Sequence, residues 1–307
     1  MSKLYENAIQ NRYDFVILYD VENGNPNGDP DAGNMPRTDP ETGRGIVTDV
    51  CIKRKIRNYI DLVKDGEPGY DIYIKQDVSL NSQDAKGVSA VKDIKDKAGK
   101  SESFRDFMCK SFFDIRTFGA VMTTAAKDND LSNVAGQVRG PVQLAFGKSV
   151  DPISPQEVTI TRVAITTDDK AATASTEMGR KHIVPYGLYR QEGFVSANLA
   201  ERVTGFSEAD LELLWTAITH MFDDDRSAAR GIMTLRELII FKHAGRADSG
   251  GAERESGAKL GCAPSHRLFE LVTVARRGGV AVPRAYADYE VTVGDAPAGV
   301  EIIRRDV

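Results

Sequence analysis

The residues best suited to chemistry form a cationic cluster near the N-terminus. Lys53, Arg54 and Arg57 lie within five positions, and apolar residues recur around them at the spacing of a helix. This pattern predicts an amphipathic helix in which cations lie along one flank of a buried stripe. Ammonium and guanidinium groups in such a row could bind successive phosphates of a nucleic acid. The same arrangement is typical of a solvated helix face, so the neighbouring sequence has to distinguish the two interpretations.

Local signals place the start of this helix at Thr48. A threonine is a suitable N-cap, and Asp49 follows where the positive end of the helix dipole favours an anion. The row of cations consists of Lys53, Arg57 and Lys64, with Arg54 further round the helix. The apolar stripe consists of Ile52, Ile56, Tyr59, Ile60 and Val63.

A loop dense in Asn, Gly, Pro and Asp precedes the helix, over residues 22–34. Glycine and asparagine tolerate positive φ angles, proline restricts φ, and short polar side chains bond their own backbone. We therefore expect a long shaped loop that presents amides and backbone N–H groups to a ligand. The side chains expected at that ligand are Asn23, Asn25 and Asn27, followed by Arg37 and Arg44.

Carboxylates in and before this loop raise the alternative of a metal site. The pattern of an EF-hand does not fit, because starting from either Asp20 or Asn25 leaves the sixth position without glycine. Asp20, Asp29 and Asp31 could still form a looser site for metal-assisted phosphodiester cleavage. Turn formation alone also accounts for aspartate in such a loop.

Two later segments carry further polar and cationic groups. Glycines in residues 136–143 would let the backbone approach a ligand closely, although turns of this kind are common. The side chains offered there are Gln137, Arg139 and Gln143. The segment 226–231 combines small residues with Arg226 and Arg230, which suit either RNA or a neighbouring subunit.

Two alternating stretches predict a long hairpin over residues 157–190, with a mobile tip of small polar residues. Met178 lies beside cations on its return strand. An apolar residue in that position suits insertion into a stack of bases, and an ordinary exposed side chain is the other interpretation. The return-strand residues singled out are Met178, Arg180, Lys181 and His182.

The remaining segments predict the helix and strands of the core and the loops between them. A helix that begins with the capping pair Ser207 and Asp210 is expected to bury Trp215. Residues 79–100 are polar and typical of an inserted surface segment, and residues 245–265 predict a flexible loop. The predicted strands are residues 13–21, 70–75, 235–241, 268–275 and 286–293.

Composition places the chain among globular proteins. It has 307 residues, 41% apolar and 28% charged, which is ample for a large core. The net charge of −5 shows no global preference for nucleic acid, so such binding would depend on local patches. The three cysteines form no disulfide framework. An N-terminus without a signal core and the lack of a membrane-length apolar run predict a cytosolic, cytoplasmic protein.

The order of the principal elements predicts an α+β fold. A strand, the basic helix and a second strand are followed by insertions, a third strand, the Ser207 helix and a fourth strand. This is the β-α-β-β-α-β order of ferredoxin-like and RNA-recognition sheets. A fold alone does not specify a function.

Several motifs together resemble the backbone subunit of the type I-C CRISPR Cascade complex (the Cas-seven family, Csd-two/Csh-two subfamily). They occur in the family's order over nearly the whole chain, and the first of them is the most specific. The matching stretches are Asn25–Pro30, Arg37, Thr48–Val50, Lys53–Arg57, Gly140–Gln143, His182–Gly187 and Arg226–Gly231.

The resemblance implies a non-catalytic RNA-binding subunit that needs no cofactor. It implies one domain over residues 1–307, an RRM-like (ferredoxin-like) palm with an inserted finger segment at 79–135 and a β-hairpin thumb at 157–190. Copies would polymerise head-to-tail along one CRISPR RNA and present it for pairing with target DNA in antiviral defence. Other Cascade components, namely a guide-processing cap subunit and large and small subunits, would be further partners.

Two other functions remain as alternatives. Backbone subunits of type III complexes are similar and cut target RNA with a loop aspartate, so Asp20, Asp29 or Asp31 would serve a metal-dependent ribonuclease. Type I systems leave cutting to a separate nuclease-helicase. The second alternative is a ferredoxin-like metabolic enzyme, which lacks support because the sequence shows no nucleophile–base pair, P-loop or dinucleotide fingerprint.

Overall fold

An apolar strand near the N-terminus lies in the middle of the fold. The computed structural model describes residues 4–122, 136–162, 177–245 and 255–305. Within them β1 spans Tyr13–Gly24, and its first nine residues are all buried. Burial of both faces of a strand requires a layer on each side of the sheet. The result is a mixed α/β protein with a large antiparallel sheet.

The described residues form fourteen strands and eight α-helical segments. The other strands are β2 (Gly28–Asp29), β3 (Met35–Pro36), β4 (Arg44–Val47), β5 (Gly119–Val121), β6 (Gln137–Arg139), β7 (Val142–Leu144), β8 (Gly147–Pro152), β9 (Gln156–Arg162), β10 (Glu177–Val195), β11 (Ile232–His243), β12 (Val272–Arg276), β13 (Tyr289–Val293) and β14 (Val300–Arg305). The helices are α1 (Asp49–Val63), α2 (Leu80–Ala90), α3 (Lys97–Ser111), α4 (Phe113–Phe118), α5 (Ala197–Leu199), α6 (Glu208–His220), α7 (Glu255–Leu260) and α8 (Ser265–Glu270). None of these helices is both long and apolar enough to cross a lipid bilayer.

The main sheet has the strand order β14-β11-β1-β10-β8-β4, and β7 and β9 also pair with β10. Its pairs are antiparallel. The long strand β10 pairs with β1 from Val184 to Val195, and its first part, Glu177 to Ile183, pairs with β9 instead. This outer pairing corresponds to the hairpin expected from the sequence. The expected tip, residues 163–176, lies outside the described residues.

Helices α1 and α6 cover one face of the sheet. Phe15 and Tyr19 of β1 share a core with Ile56 of α1 and with Trp215 of α6, which is 3% exposed. The expected burial of that tryptophan is confirmed. The opposite face packs against α8 and the β12–β13 hairpin through residues such as Leu18. Both faces are therefore covered in the middle of the sheet.

The two helix starts predicted from the sequence are confirmed. Thr48 caps α1, and its Oγ1 accepts the N–H of Cys51 at 3.3 Å. Ser207 and Asp210 form a reciprocal capping box at the start of α6, with Ser207 N–H donating to the Asp210 carboxylate at 2.9 Å. These caps satisfy backbone donors that the first turn of a helix leaves unpaired.

The strand predicted at residues 70–75 is wrong. Only Asp71 makes a β-bridge, to Phe112, and the next backbone groups bind a side chain instead of a strand. The Asp114 carboxylate accepts the N–H groups of Tyr73 at 2.8 Å and Ile74 at 3.1 Å. Because those donors are satisfied locally, the alternating pattern does not need a neighbouring strand. In the main sheet β8 holds the place expected for that segment.

Three expectations for the C-terminal part also need correction. Part of the loop predicted over 245–265 is the helix α7, and residues 246–254 lie outside the described residues. The strand predicted from residue 268 begins only at Val272, because α8 continues to Glu270. The edge strand β14 was missed, because its sequence reads as charged rather than as a strand.

Candidate nucleic-acid interface

The asparagine-rich loop and the arginine-containing segment 226–231 pack directly on each other. The N–H of Asn25 donates to the carbonyl oxygen of Ala229 at 2.8 Å. A Cβ atom added to Gly24 would lie 1.8 Å from the carbonyl oxygen of Arg230, so the approach is possible only for glycine. Two motifs that are about 200 positions apart in the sequence therefore form one surface.

The asparagines of the loop mostly bind the protein itself. Asn27 Oδ1 accepts the N–H of Thr48 at 2.9 Å and its hydroxyl at 3.0 Å, which fixes the start of α1. Asn25 is buried and donates to the carbonyl of Asn34 at 2.7 Å, and its Oδ1 has no partner among the described residues. Of the three asparagines expected at the ligand, Asn23 is the one that is exposed, in the left-handed region at φ +49°. The expectation that all three amides face a ligand is therefore wrong for Asn25.

The cations of α1 do not form one solvent-facing row. Arg57 is buried, and its Nε donates to Asp114 at 2.7 Å. Lys53 donates to Asp49 at 2.8 Å and lies 5.5 Å from the centre of the Phe118 ring. The phosphate role predicted for Arg57 is inconsistent with this burial, because exposing the guanidinium would leave a buried carboxylate unpaired.

Arg54 differs from its neighbours on the helix. It is half-buried and forms no ion pair with any residue that the structure describes. Its guanidinium group is therefore available to an anionic ligand. Lys64, the expected end of the row, donates to Glu67 at 2.8 Å.

A buried ion network under this surface was missed by sequence reasoning. The Asp225 carboxylate accepts from both Lys55 and Arg230, and Lys55 is 3% exposed. The network ties α1 to the segment that contains Arg226 and Arg230. The run of three aspartates at 223–225 beside these arginines was the available signal. Arg226 itself is exposed, and its Nε donates to the carbonyl of Asp223 at 3.1 Å.

The outer part of β10 meets the same surface. Lys181 Nζ donates to the carbonyl oxygen of Ala228 at 2.8 Å. Arg180 pairs with Glu157 at 3.1 Å across the hairpin, and Met178 is 76% exposed. His182 is half-buried on the same strand. The structure thus brings the hairpin base to the segment 226–231.

We call the exposed or half-buried groups Asn23, Arg54, Lys181, Arg226 and Arg230 the cationic surface.

The glutamines and Arg139 lie on a neighbouring part of the fold. Gln143 Nε2 donates to the carbonyl of Gly140 at 3.1 Å, and Gln137 and Arg139 are exposed on β6. Strand β6 pairs with β5, which follows directly after Phe118. Phe118 in turn lies against Lys53 and Arg57, so this group borders α1.

The two remaining predicted site residues, Arg37 and Arg44, precede α1 in the sequence. Arg37 pairs with Asp29 at 3.4 Å, and its Nε is buried without a hydrogen-bond partner in the described chain. Arg44 lines a groove with Phe146 and Lys148 at the edge of the sheet. Phe146 and Lys148 had no distinguishing sequence signal.

The three loop carboxylates do not meet. Asp20 accepts from Arg236 at 2.9 Å and from Tyr186 at 3.1 Å, and burial raises the pKa of its carboxyl despite these donors. Asp29 accepts the N–H of Asp31 at 3.2 Å and starts a short helical turn. Among the residues described, no three acidic, histidine or cysteine side chains are grouped for a metal.

Chains in three solved structures share low sequence identity with this one. One belongs to a CRISPR RNA-guided surveillance complex, with 16% identity, a TM-score of 0.45, and 78% of this chain and 72% of that chain covered. A second, from a CRISPR RNA-guided surveillance complex in a pre-nicking state, has 14% identity and a TM-score of 0.46, with 83% of each chain covered. A third is from the type III-B Cmr-beta complex bound to cognate target RNA, with 12% identity, a TM-score of 0.42, and 75% of this chain and 61% of that chain covered.

Sequence comparison identifies the family. A protein of Haloferax volcanii described as CRISPR-associated protein Cas7 is 32% identical over 230 residues, which cover 68% of this chain and 64% of that protein. The chain thus matches just under two thirds of the relative's length. The family model for CRISPR-associated protein Cas7 matches residues 11–294. Since that match spans nearly the whole chain, the protein belongs to the CRISPR-associated protein Cas7 family.

Proposed function

We propose that this chain is a non-catalytic subunit that binds CRISPR RNA in the backbone of a type I-C Cascade surveillance complex. The observation that carries the proposal is the convergence of three separate segments on one cationic surface. The Lys55–Asp225 pair holds helix α1, which carries the half-buried Arg54, against the segment after α6. That segment contributes Arg226 and Arg230, and β10 contributes Lys181. Cations from several elements can follow a sugar-phosphate backbone without reading its sequence.

The topology supports an RRM-like palm. The elements β1, α1, β8, β10, α6 and β11 follow the β-α-β-β-α-β order, and their strands lie side by side as β11-β1-β10-β8. We assign β9 and the outer part of β10 to a thumb, with Met178 and Arg180 exposed on it. The segment 79–135 is assigned to a finger. Lys53, Gln137, Arg139 and Gln143 would contact the guide beside α1, and His182 would do so at the thumb.

Copies of the chain would assemble head-to-tail along one guide and present its bases to a target DNA strand. The motif order described above favours the type I-C, Csd-two/Csh-two subfamily, with a guide-processing subunit and large and small subunits as partners in the cytoplasm. No cofactor is required, because binding would use fixed cations only. The carboxylates Asp20 and Asp29 are each engaged by an arginine, which supports a binding role over a catalytic one.

Fluorescence anisotropy with a guide-length single-stranded RNA tests the binding surface. The variant Arg54→Glu/Arg226→Glu is expected to bind at least tenfold more weakly and with a shallower salt dependence, since two phosphate contacts are lost. Arg267→Glu, an exposed cation on α8, is the matched control and should bind normally. Equal affinity of a folded double variant and the wild type would contradict the proposal.

Nuclease protection of the same RNA tests the absence of catalysis. Regularly spaced sensitive nucleotides that persist in a chelator are expected for a row of non-catalytic subunits. Metal-dependent cleavage that disappears in Asp29→Ala would instead favour a ribonuclease of the type III kind.

A further inference from the structure

The groove that Arg44 lines lies on the sheet face opposite α1, at the edge of the sheet that β8 and β4 form. Its volume is about 510 Å³. We call it the edge groove; its lining is Arg44, Ala145, Phe146, Lys148, Ser149, Val150, Arg190, Glu192 and Val274. On β10, Tyr189 belongs to the core under α1, whereas Leu188 and Phe194 pack on the opposite side. Because side chains alternate along a strand, Arg190 and Glu192 face away from α1.

The charges of the edge groove are unevenly compensated. Arg190 donates to the carbonyls of Val272 at 2.7 Å and Phe269 at 2.6 Å, and it pairs with Glu192 at 3.0 Å. The single acid of the lining is therefore already neutralised. Arg44 and Lys148 are both exposed, and neither forms a direct ion pair with a described residue. Asp151 interacts electrostatically with Arg44, and Asp39 with Lys148, at longer range. Two exposed cations without a direct ion pair thus make the groove attractive to an anion.

An exposed aromatic ring, that of Phe146, lines the same groove as these two cations. Phe146 is 55% exposed and belongs to none of the hydrophobic clusters of the described chain. It comes immediately before β8 and two positions before Lys148. A ring without a packing role, next to cations, matches the stacking platforms that hold unpaired bases while the cations bind phosphates.

We propose that the edge groove is a second binding site for single-stranded nucleic acid, separate from the cationic surface. Phe146 would stack on a base, and Arg44 and Lys148 would bind the flanking phosphates. Recognition would not depend on sequence, because every base offers a ring face. The site goes beyond the proposed function, and it requires no contact with the guide on the other face of the sheet.

The composition of the groove favours nucleic acid over a protein partner. Among its lining residues Phe146 is the one large apolar side chain that is strongly exposed, whereas Val150 and Val274 are half-buried. The core of a stable protein interface usually joins several apolar anchors over a wider area.

The test uses the full-length chain with the Arg54→Glu/Arg226→Glu changes, so that binding at the cationic surface is weakened. Fluorescein-labelled oligo-dT and oligo-U of ten nucleotides are the probes in anisotropy titrations. Adding Phe146→Ala should lower the remaining affinity at least fivefold, and Arg44→Glu/Lys148→Glu at least tenfold. Phe146→Tyr should retain it, because a tyrosine ring also stacks. Val282→Ala, another exposed apolar residue outside the groove, is the matched control.

Photo-crosslinking gives a readout that folding defects do not imitate. With 4-thiothymidine in the oligonucleotide, mass spectrometry should find the crosslink on the peptide that contains Phe146. Unchanged affinity in folded Phe146→Ala together with crosslinks elsewhere would overturn the proposal. So would a loss of self-association in Phe146→Ala without any effect on the oligonucleotide, because the groove would then be a protein interface. The single variant Phe146→Ala, whose cationic surface is intact, is also titrated with the guide RNA. That measurement tests the proposed function independently of the edge groove.

Discussion

The backbone N–H of Asn25 donates to the carbonyl oxygen of Ala229 at 2.8 Å. This bond joins the loop after the central strand β1 to the loop after α6. The same contact brings Gly24 against the backbone of Arg230. The loop before α1 and the loop that carries the two arginines are therefore fixed relative to each other. The geometry of the cationic surface therefore depends on a backbone approach rather than on side chains alone.

A methyl group at this contact should separate the two loops. Gly24→Ala is expected to lower the free energy of unfolding by about 1–3 kcal/mol, because its Cβ overlaps the Arg230 backbone. RNA affinity should fall as well, since Arg226 and Arg230 would move relative to α1. Urea unfolding and anisotropy measure the two effects. Gly278→Ala is the control, because a Cβ there meets no atom within 4 Å. Equal stability of Gly24→Ala and the control would contradict the contact.

Truncation of two arginines of α1 is expected to affect different properties, namely stability for Arg57 and RNA affinity for Arg54. Arg57→Ala leaves the Asp114 carboxylate buried without its cation and should cost about 3–5 kcal/mol of stability. Arg54→Ala removes no ion pair of the described chain, so stability should change by less than about 0.5 kcal/mol while RNA affinity falls. Urea unfolding at neutral pH and anisotropy separate these outcomes. A stable Arg57→Ala variant that fails to bind RNA would show instead that Arg57 binds phosphate.

This contrast explains how far the sequence could predict the site. Helical periodicity located α1, and the residue type of Thr48 identified its N-cap, because those signals are local. It could not tell which cations are exposed, because the acid that binds Arg57 is 57 positions away and the one that binds Lys55 is 170 positions away. The same Asp114 satisfies the N–H groups of Tyr73 and Ile74, so a single distant side chain also replaced a predicted strand.

Asp210 should be more important for stability than its capping partner. Ser207→Ala removes one cap and is expected to cost about 1 kcal/mol. Asp210 also binds Arg116 through two bonds of 3.0 and 2.7 Å, so Asp210→Ala additionally leaves a buried guanidinium group unpaired. Its cost should be about 3–5 kcal/mol. Urea unfolding measures both, and Glu208→Ala, an exposed acid in the same turn, is the control. Equal losses for Ser207→Ala and Asp210→Ala would mean that the Arg116 pair contributes nothing.

The buried Asp14 should make stability depend on pH in the acidic range. His243 Nδ1 accepts the N–H of Cys262 at 2.8 Å, so its Nε2 carries the proton and donates to Asp14 at 2.7 Å. Burial acts to raise the pKa of the Asp14 carboxyl, but the bonds from His243, Arg12 and Ser265 outweigh burial and hold this pKa below its ordinary value of 3.8. The ionised form therefore stabilises the folded state.

Because the folded-state pKa is depressed, this stabilisation is present above the unfolded pKa and is lost as the pH falls through the folded one. Asp14→Asn removes the ionisable group. The difference in unfolding free energy between the wild type and Asp14→Asn should be largest above about pH 5 and shrink steadily below about pH 4. Urea unfolding from pH 7 to pH 3 measures it, with the exposed Asp295→Asn as the control. A difference that stays constant over this range would show that the Asp14 charge does not stabilise the fold.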